Sequence, residues 1–198
     1  MSKIILASKS PYRSTIMKNA GITFDVHTAN IDEREIERPL LKAGLDGADI
    51  ADILAVSKAT NISNSYPGDY IIGSDQTLSL DGELLHKPEN LEDARRRLLA
   101  LSGRSHELNS AVCIVKDGIT IWNHTDRSIV YFRKLDPGFI GRHIANVGEI
   151  ILSSVGAYQI EGQGIQLFEK IEGDFFSVMG MPILPLLKEL RRLKLVDG

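Results

Sequence analysis

An acidic residue, an amide and a lysine lie around the middle of the chain, at Asp75, Gln76 and Lys87. The apolar run before Asp75 is typical of a strand, and we expect Gly73-Ser74 to turn the backbone there and let it approach a ligand. Asp81-Gly82 predicts a hairpin that would fold Lys87 back toward Asp75. A carboxylate at a strand end beside a lysine suits a metal-bound phosphate. The alternative is a surface hairpin with scattered charges.

A serine-rich turn near the start of the chain predicts an anion site. A buried strand over residues 3–7 runs into this turn, and a helix follows, so free backbone N–H groups and the positive end of the helix dipole would face a ligand. Ser8 and Ser10 add hydroxyl groups, and Arg13 adds a guanidinium fork that suits phosphate. Tyr12 could stack on a flat ligand such as a base. The alternative is that Ser10 is only the N-cap of the helix, that Arg13 faces solvent, and that Tyr12 packs against the protein.

Four further residues of chemical interest have simpler interpretations. Glu33 lies in a charged segment that we expect to be a turn. Lys58 lies near the end of a predicted helix, where a lysine usually complements the dipole and faces water. Cys113 lies in an apolar run and is expected to be a small buried hydrophobe. His106 is expected to be a structural hydrogen-bonding group, since no second His or Cys stands at metal-site spacing.

The elements that must position these residues alternate between strand and helix. This mixture, with hairpins in the middle, predicts an α/β fold with a mixed sheet. Further strands are predicted over residues 23–27, 106–116, 119–133, 153–160 and 165–171, the two long ones joined by a second hairpin at Asp117-Gly118. Helices are predicted from residue 11 to about 20, over about 40–59 with a break at Gly44 and Gly47, and over 91–101, 137–147 and 183–195.

Length and composition narrow the classes of function. A chain of 198 residues suits a single domain with room for two lobes. The net charge of -3 argues against a protein that coats nucleic acid. No apolar run is long enough for a membrane span, and we expect no signal peptide, because the first residues enter a strand pattern directly. One cysteine in 198 residues fits a reducing, cytoplasmic setting.

Taken in order, the motifs of nearly the whole chain resemble the Maf (septum formation inhibitor-like) family. Each motif is weak by itself, but the ordered set is specific. The set comprises Leu6-Ala-Ser-Lys-Ser-Pro-Tyr-Arg13, Ser57-Lys-Ala59, Ile72-Gly-Ser-Asp-Gln-Thr77, Lys87-Pro88, Leu101-Ser-Gly103 with His106, Val130-Tyr-Phe132, Gly156-Ala-Tyr158, Glu161-Gly162 and Met181-Pro182.

The resemblance implies a nucleoside triphosphate pyrophosphatase. Such enzymes cleave between the α- and β-phosphates, need a divalent cation such as Mg²⁺ or Mn²⁺, and are often homodimers. The implied fold resembles that of inosine triphosphate pyrophosphatases, with a central mixed sheet, flanking helices and two lobes around a cleft. Carried over by position, the phosphate-binding and catalytic residues are Ser8, Arg13, Glu33, Lys58, Asp75 and Lys87. Glu33 and Asp75 are the candidate metal ligands, and Asp75 is the candidate base.

Three positions resemble the branch of the family that acts on 7-methyl-GTP. That branch has an aromatic residue (typically Trp), Gln and Glu where this chain has Tyr12, Gln76 and Glu161. The chemistry of these side chains is consistent with that substrate. The face of a tyrosine ring attracts the positive charge of an N7-methylated guanine by roughly 0.5–2 kcal/mol. Glu161 could accept hydrogen bonds from N1–H and N2–H of guanine, whereas uracil presents a single ring N–H between two carbonyls.

Two alternatives to a 7-methyl-GTP enzyme stay open. One is a house-cleaning pyrophosphatase of broad or pyrimidine triphosphate specificity. The other, from another class, is a non-catalytic nucleotide-binding regulator of cell division. The presence of Asp75 together with Arg13, Lys58 and Lys87 counts against the regulator.

Overall fold

The computed structural model describes residues 2–197, which form a mixed α/β fold. The strands in this part of the chain are β1 (Ile4–Ala7), β2 (Asp25–Val26), β3 (Tyr70–Leu80), β4 (Glu83–Leu85), β5 (Ser105–Lys116), β6 (Ile119–Phe132) and β7 (Phe168–Glu172). The helices are α1 (Pro11–Asn19), α2 (Glu33–Lys42), α3 (Gly47–Ser63), α4 (Leu91–Leu101), α5 (Pro137–Val147), α6 (Phe175–Val178) and α7 (Ile183–Arg192).

The strands of residues 2–197 form one seven-stranded sheet in the order β2-β1-β3-β5-β6-β7, with β4 also paired to β3. Strand β1 is parallel to both β2 and β3, whereas β4 is antiparallel to β3 and β7 is antiparallel to β6. The prediction of a central mixed sheet with flanking helices is therefore confirmed. None of the helices in the described part of the chain is long and apolar enough to cross a membrane.

Both predicted hairpins are confirmed by their turn residues. Asp81 and Gly82 have φ values of 53° and 85°, and Asp117 and Gly118 have φ values of 50° and 76°. Two successive residues of positive φ form the tight turn whose twist matches that of the flanking strands. In the first hairpin the turn sets Leu80 opposite Glu83.

The chain divides into two compact units. The first comprises residues 2–76, 109–126 and 174–197, and the second comprises residues 77–108 and 127–173. In the first unit, alternate residues of β1 point to opposite faces of the sheet, as the period of a strand requires. One face packs Ile4 and Leu6 with α1 and α7, and the other packs Ile5 and Ala7 with α3.

An aromatic cluster fills the second unit. The rings of Phe132, Tyr158 and Phe168 lie 5.0–5.3 Å apart between centroids. His106 joins them, with Nε2 2.7 Å from the Tyr158 hydroxyl. Burial lowers the pKa of His106 to about 4, so its ring is neutral at pH 7. The expectation that His106 is a structural hydrogen-bonding group is confirmed.

The predicted turn at Gly73-Ser74 is wrong, because β3 continues through both residues to Leu80. Gly73 does permit a close approach, but to the protein itself. A Cβ on Gly73 would lie 2.1 Å from the Ala55 backbone oxygen and 2.9 Å from Cys113 Sγ. The glycine lets α3 pack directly on the strand. Because β3 continues to Leu80, Asp75 lies within the strand rather than at its end.

Three other local predictions are wrong. The charged segment around Glu33 is helical, because Asp32 caps α2 by accepting hydrogen bonds from the backbone N–H groups of Arg34 and Glu35. The predicted strand over 153–160 is absent from the described residues, where a 3-10 segment over Gly148–Ser153 is followed by turns. The strand predicted to start at residue 165 begins at Phe168 as β7.

Candidate active site

The site is centred on Asp75, a buried carboxylate in β3. Its residue is 6% exposed, in a strand whose neighbours pack into the core. The Lys58 Nζ donates to Asp75 Oδ1 at 2.5 Å and lies 2.9 Å from Glu33 Oε1. Glu33 is the first residue of α2 and is half-exposed. Lys58 therefore bridges a buried and a solvent-facing carboxylate.

Lys58 reaches this position because α3 packs against β3. The small residues Ala55 and Ala59 of α3 are fully buried in the cluster that also holds Ile71 of β3. Lys58 lies between them on the helix and is 9% exposed, so it does not complement the helix dipole in water as expected. Since a buried ammonium is costly without a partner, its ion pairs with Asp75 and Glu33 are what make this placement possible.

The surroundings shift the pKa of Asp75 upward. Burial is the largest cause, and the positive charges of Lys58 and Arg13 oppose it. Burial also lowers the pKa of the Arg13 guanidinium, although the charge of Asp75 raises it. A carboxylate with a raised pKa is a stronger base once it is ionised, so the environment of Asp75 suits proton transfer better than an exposed position would.

Arg13 of α1 is anchored by protein acceptors. Its Nε donates to the backbone oxygen of Gly180 at 2.9 Å, and Nη1 donates to the backbone oxygen of Ser74 at 2.8 Å. Ser74 directly precedes Asp75, so the guanidinium is fixed beside the carboxylate. The two anchored nitrogens are not available as an open fork, and the other two N–H groups of the guanidinium belong to Nη2.

The serine turn lies against the same guanidinium. Ser8 is 5% exposed, and its Oγ accepts from Ser10 N at 3.2 Å and from Arg13 Nη1 at 3.3 Å. The Ser10 side chain caps α1 by accepting from the backbone N–H of Arg13. Ser10 is thus the N-cap residue of α1, and Ser8 and Arg13 lie together with Ser74 at the N-terminal end of this helix.

Gln76 extends the group along β3. Its Nε2 donates to Ser110 Oγ at 2.9 Å and to the backbone oxygens of Ser177 and Val178, both at 3.1 Å. Tyr12 is half-buried at the start of α1, next to Arg13 in sequence. The first unit therefore contains Ser8, Tyr12, Arg13, Glu33, Lys58, Asp75 and Gln76. Lys87 and Glu161 are exposed residues of the second unit, and the roles of all nine stay predictions.

The sequence predicts Glu33 and Asp75 as ligands of a divalent cation, and both are carboxylates that contact Lys58. No group of three or more His, Cys, Asp or Glu side chains within residues 2–197 is arranged to hold a metal ion. Mg²⁺, however, is usually bound by one or two carboxylates together with substrate phosphates and water. Two carboxylates held together by Lys58 fit the protein share of such a coordination shell.

A family model describes nearly all of this chain. The model of the Maf-like proteins matches residues 3–193. The chain belongs to the Maf-like family. Among curated relatives, the 7-methyl-GTP pyrophosphatase of Brucella abortus biovar 1 (strain 9-941) is 56% identical over 196 residues, covering 99% of this chain and 98% of the relative.

Further relatives of the same name match over the same length. The 7-methyl-GTP pyrophosphatase of Mesorhizobium japonicum is 56% identical, with coverage of 99% and 98%, and that of Bartonella henselae is 46% identical, with coverage of 98% of both chains. A solved nucleoside-triphosphatase (dITP/XTP pyrophosphatase) of Mycobacterium abscessus is similar at a TM-score of 0.42 and 14% identity, with 98% of each chain covered.

Four residues of this Maf-like chain join the site without having been predicted. Gly180 accepts hydrogen bonds from Arg13 and Ser74, and its φ of 106° lies in the region that favours glycine. Ser110 and Ser177 hold Gln76. The glycine before Met181-Pro182 is a weak signal for such a position, and the two serines carry none that local sequence reveals.

Glu37 is the fourth. It lies one turn after Glu33 on α2 and is 7% exposed, and burial raises the pKa of its carboxyl group, with Asp75 and Glu33 adding to the effect. Because residues four apart lie on one face of a helix, the spacing of Glu33 and Glu37 is the sequence signal for this position. The sequence signal for the start of this helix is Asp32, an N-cap residue whose side chain accepts from the backbone N–H groups of Arg34 and Glu35.

Proposed function

We propose that the chain is a nucleoside triphosphate pyrophosphatase that hydrolyses the bond between the α- and β-phosphates and prefers 7-methyl-GTP. The observation that supports hydrolysis is the buried Asp75 carboxylate held by Lys58, with Arg13 anchored beside it. The names of relatives 46–56% identical over nearly the whole chain support the substrate, together with the residues Tyr12, Gln76 and Glu161.

In this proposal Asp75 accepts the proton of the attacking water. As the water oxygen forms a bond to phosphorus, the P–O bond of the α–β bridge breaks and pyrophosphate leaves with the electron pair. The raised pKa of Asp75 makes its carboxylate a better proton acceptor. Lys58 keeps the carboxylate in place, and its positive charge offsets the charge that gathers on the triphosphate.

Phosphate binding is assigned to the N-terminal end of α1 and to basic side chains. The Nη2 group of Arg13 carries the N–H donors that the protein acceptors of Nε and Nη1 leave for phosphate oxygens. Ser8, whose Oγ accepts two hydrogen bonds, can still donate its own proton. Lys87 is assigned to the same phosphates by the family resemblance alone.

The cation, Mg²⁺ or Mn²⁺, would be held by Glu33 and Asp75. When bound, it would supply positive charge against the phosphate oxygens. For the base, the Tyr12 ring would stack on the methylated guanine, an attraction of roughly 0.5–2 kcal/mol for a cationic ring. Gln76 and Glu161 would accept hydrogen bonds from the guanine edge.

The test is a substrate panel with a catalytic variant. Pyrophosphate release is measured with Mg²⁺ or Mn²⁺ from 7-methyl-GTP, GTP, UTP and dTTP, and we expect 7-methyl-GTP to give the highest kcat/KM. Asp75→Asn should lose about 10²–10⁴-fold in kcat. The control, Asp25→Asn, removes an exposed carboxylate that pairs with Lys3 and should leave kcat unchanged.

Three outcomes would contradict the proposal. Equal or better turnover of UTP and dTTP would favour the pyrimidine house-cleaning enzyme. Nucleotide binding without turnover under any cation would favour the regulator. An Asp75→Asn variant that keeps more than about a tenth of the parent activity would remove Asp75 from the role of base.

A further inference from the structure

Protein acceptors hold the Gln76 side chain in one orientation. Its Nε2 lies 2.9 Å from Ser110 Oγ and 3.1 Å from two backbone oxygens, those of Ser177 and Val178. An amide nitrogen only donates and an amide oxygen only accepts. A flipped amide would press Oε1 against both carbonyl oxygens, so Nε2 faces the protein and Oε1 faces away from these acceptors.

Ser110 supplies the one side-chain acceptor among the three protein oxygens that hold the Gln76 amide nitrogen. It is fully buried in β5, and its Oγ donates to the Ser177 backbone oxygen at 2.6 Å. Because that hydroxyl proton is committed, the Ser110 Oγ can only accept from Gln76. Ser177 is itself fixed, since its Oγ donates to Asp126 Oδ2 at 2.6 Å and its backbone N–H donates to Asp174 Oδ1 at 2.9 Å.

The consequence is that Gln76 offers an acceptor beside the anchored guanidinium. A Cβ placed on Gly180 would lie 3.7 Å from Gln76 Oε1 and 3.8 Å from Arg13 Nε. The amide oxygen thus lies next to the part of the site that we assign to the nucleotide. An acceptor selects N–H donors, and guanine presents an exocyclic amino group as well as a ring N–H. Uracil places a carbonyl oxygen on either side of its ring N–H.

We propose that Ser110 is a specificity-determining positioning residue, which acts together with the backbone oxygens of Ser177 and Val178 to hold the Gln76 amide so that Oε1 accepts an N–H of a guanine-type base. The proposal rests on the proposed function, because it takes Gln76 as part of the base site. It goes further by naming the atom that meets the base and the serine that sets it.

Binding of reaction products tests the proposal without hydrolysis. Titration calorimetry gives the dissociation constants of 7-methyl-GMP and UMP with Mg²⁺ present. The measured ratio is the dissociation constant of UMP divided by that of 7-methyl-GMP, so a high ratio means a preference for 7-methyl-GMP. Ser110→Ala should reduce the preference for 7-methyl-GMP roughly three- to tenfold, the effect of one hydrogen bond. Ser110→Thr keeps the hydroxyl and should retain the parent ratio. Ser128→Ala is the matched control, since Ser128 is a buried serine whose Oγ has no hydrogen-bond partner in residues 2–197.

A double-mutant cycle separates positioning from general structure. If Ser110 acts through Gln76, Gln76→Ala should lower the ratio by itself, and adding Ser110→Ala should lower it no further. Should Ser110→Ala fail to give a folded circular dichroism spectrum, Ser110→Cys, a weak hydrogen-bonding isostere, should give an intermediate ratio.

The proposal is overturned if Ser110→Ala keeps the parent ratio within twofold. It is also overturned if Ser110→Ala and Gln76→Ala each lower the ratio and the double variant shows the product of the two effects. A parent protein without preference for 7-methyl-GMP overturns it as well. Pyrophosphate release is no part of this measurement, so a chain that binds selectively but hydrolyses no triphosphate refutes the proposed function while the ratio still decides the role of Ser110.

Discussion

Lys58 is the residue whose removal most directly tests the electrostatics of the site. In Lys58→Met a side chain of similar length without charge replaces the ammonium that donates to Asp75 at 2.5 Å. Removing one partner of a buried ion pair costs about 3–5 kcal/mol, because the other charge is left buried without compensation. The pair with Glu33 adds little, since half of the Glu33 side chain faces water.

The expected loss is smaller than the full range because Arg13 remains beside Asp75. We expect the free energy of unfolding to fall by about 2–4 kcal/mol at pH 8. The loss must depend on pH. Burial raises the pKa of Asp75 in the folded protein, and losing Lys58 raises it further. A carboxyl group whose pKa is higher in the folded state stabilises folding below its unfolded pKa and loses that contribution as pH rises through the folded pKa.

The deficit of Lys58→Met should therefore be larger at pH 8 than at pH 5, because lowering the pH toward the raised pKa of Asp75 removes the unpaired buried charge. Urea unfolding followed by circular dichroism at both pH values measures it. The control is Lys3→Met, which breaks an exposed ion pair with Asp25 at 3.0 Å and should lower the free energy of unfolding far less than Lys58→Met does at pH 8, because exposed ion pairs contribute little. A loss at pH 8 no greater than that of Lys3→Met, or a loss that is the same at both pH values, would refute this reasoning.

Two further predictions concern packing and catalysis. Gly73→Ala should lower the free energy of unfolding by about 2–3 kcal/mol in urea unfolding, because its Cβ would lie 2.1 Å from the Ala55 oxygen. The control is Gly141→Ala, whose Cβ would meet nothing within 4 Å and which should be neutral or stabilising. Equal effects of the two substitutions would contradict the close packing at Gly73. The acidic limb of kcat/KM against pH should report an apparent pKa above the ordinary aspartate value of 3.8, because burial raises the pKa of Asp75; a limb at or below 3.8 would argue against Asp75 as the base.

Elements with strong local signals were predictable from the sequence. Helix α4 begins after Asn90, whose side chain accepts from the backbone N–H of Asp93, and its bounds match the prediction. Helix α1 begins at Pro11 as predicted. The Asp-Gly turns fixed both hairpins, because only a few residue types adopt positive φ at two successive positions. In each case the decisive interaction lies within a few residues along the chain.

Errors arose where a local signal had a distant cause. Gly73 suggested a turn because a glycine permits one, but its conformation is that of a strand and its small size serves contact with Ala55 of α3. Lys58 suggested a solvated helix end, because nothing nearby in sequence predicts that Asp75 would lie 2.5 Å away. A pattern over ten residues cannot contain a partner that lies 17 residues further along the chain.

The same reasoning explains which part of the site the family resemblance could supply and which it could not. Motif positions such as Arg13 and Asp75 carry charged side chains, and a charged residue type can be recognised directly in the sequence. Ser110, Ser177 and Gly180 act through one hydroxyl and two backbone oxygens. A backbone carbonyl is present at every residue, so its use leaves no mark on the sequence. The orientation of Gln76, and with it the base preference proposed here, depends on contacts of this kind.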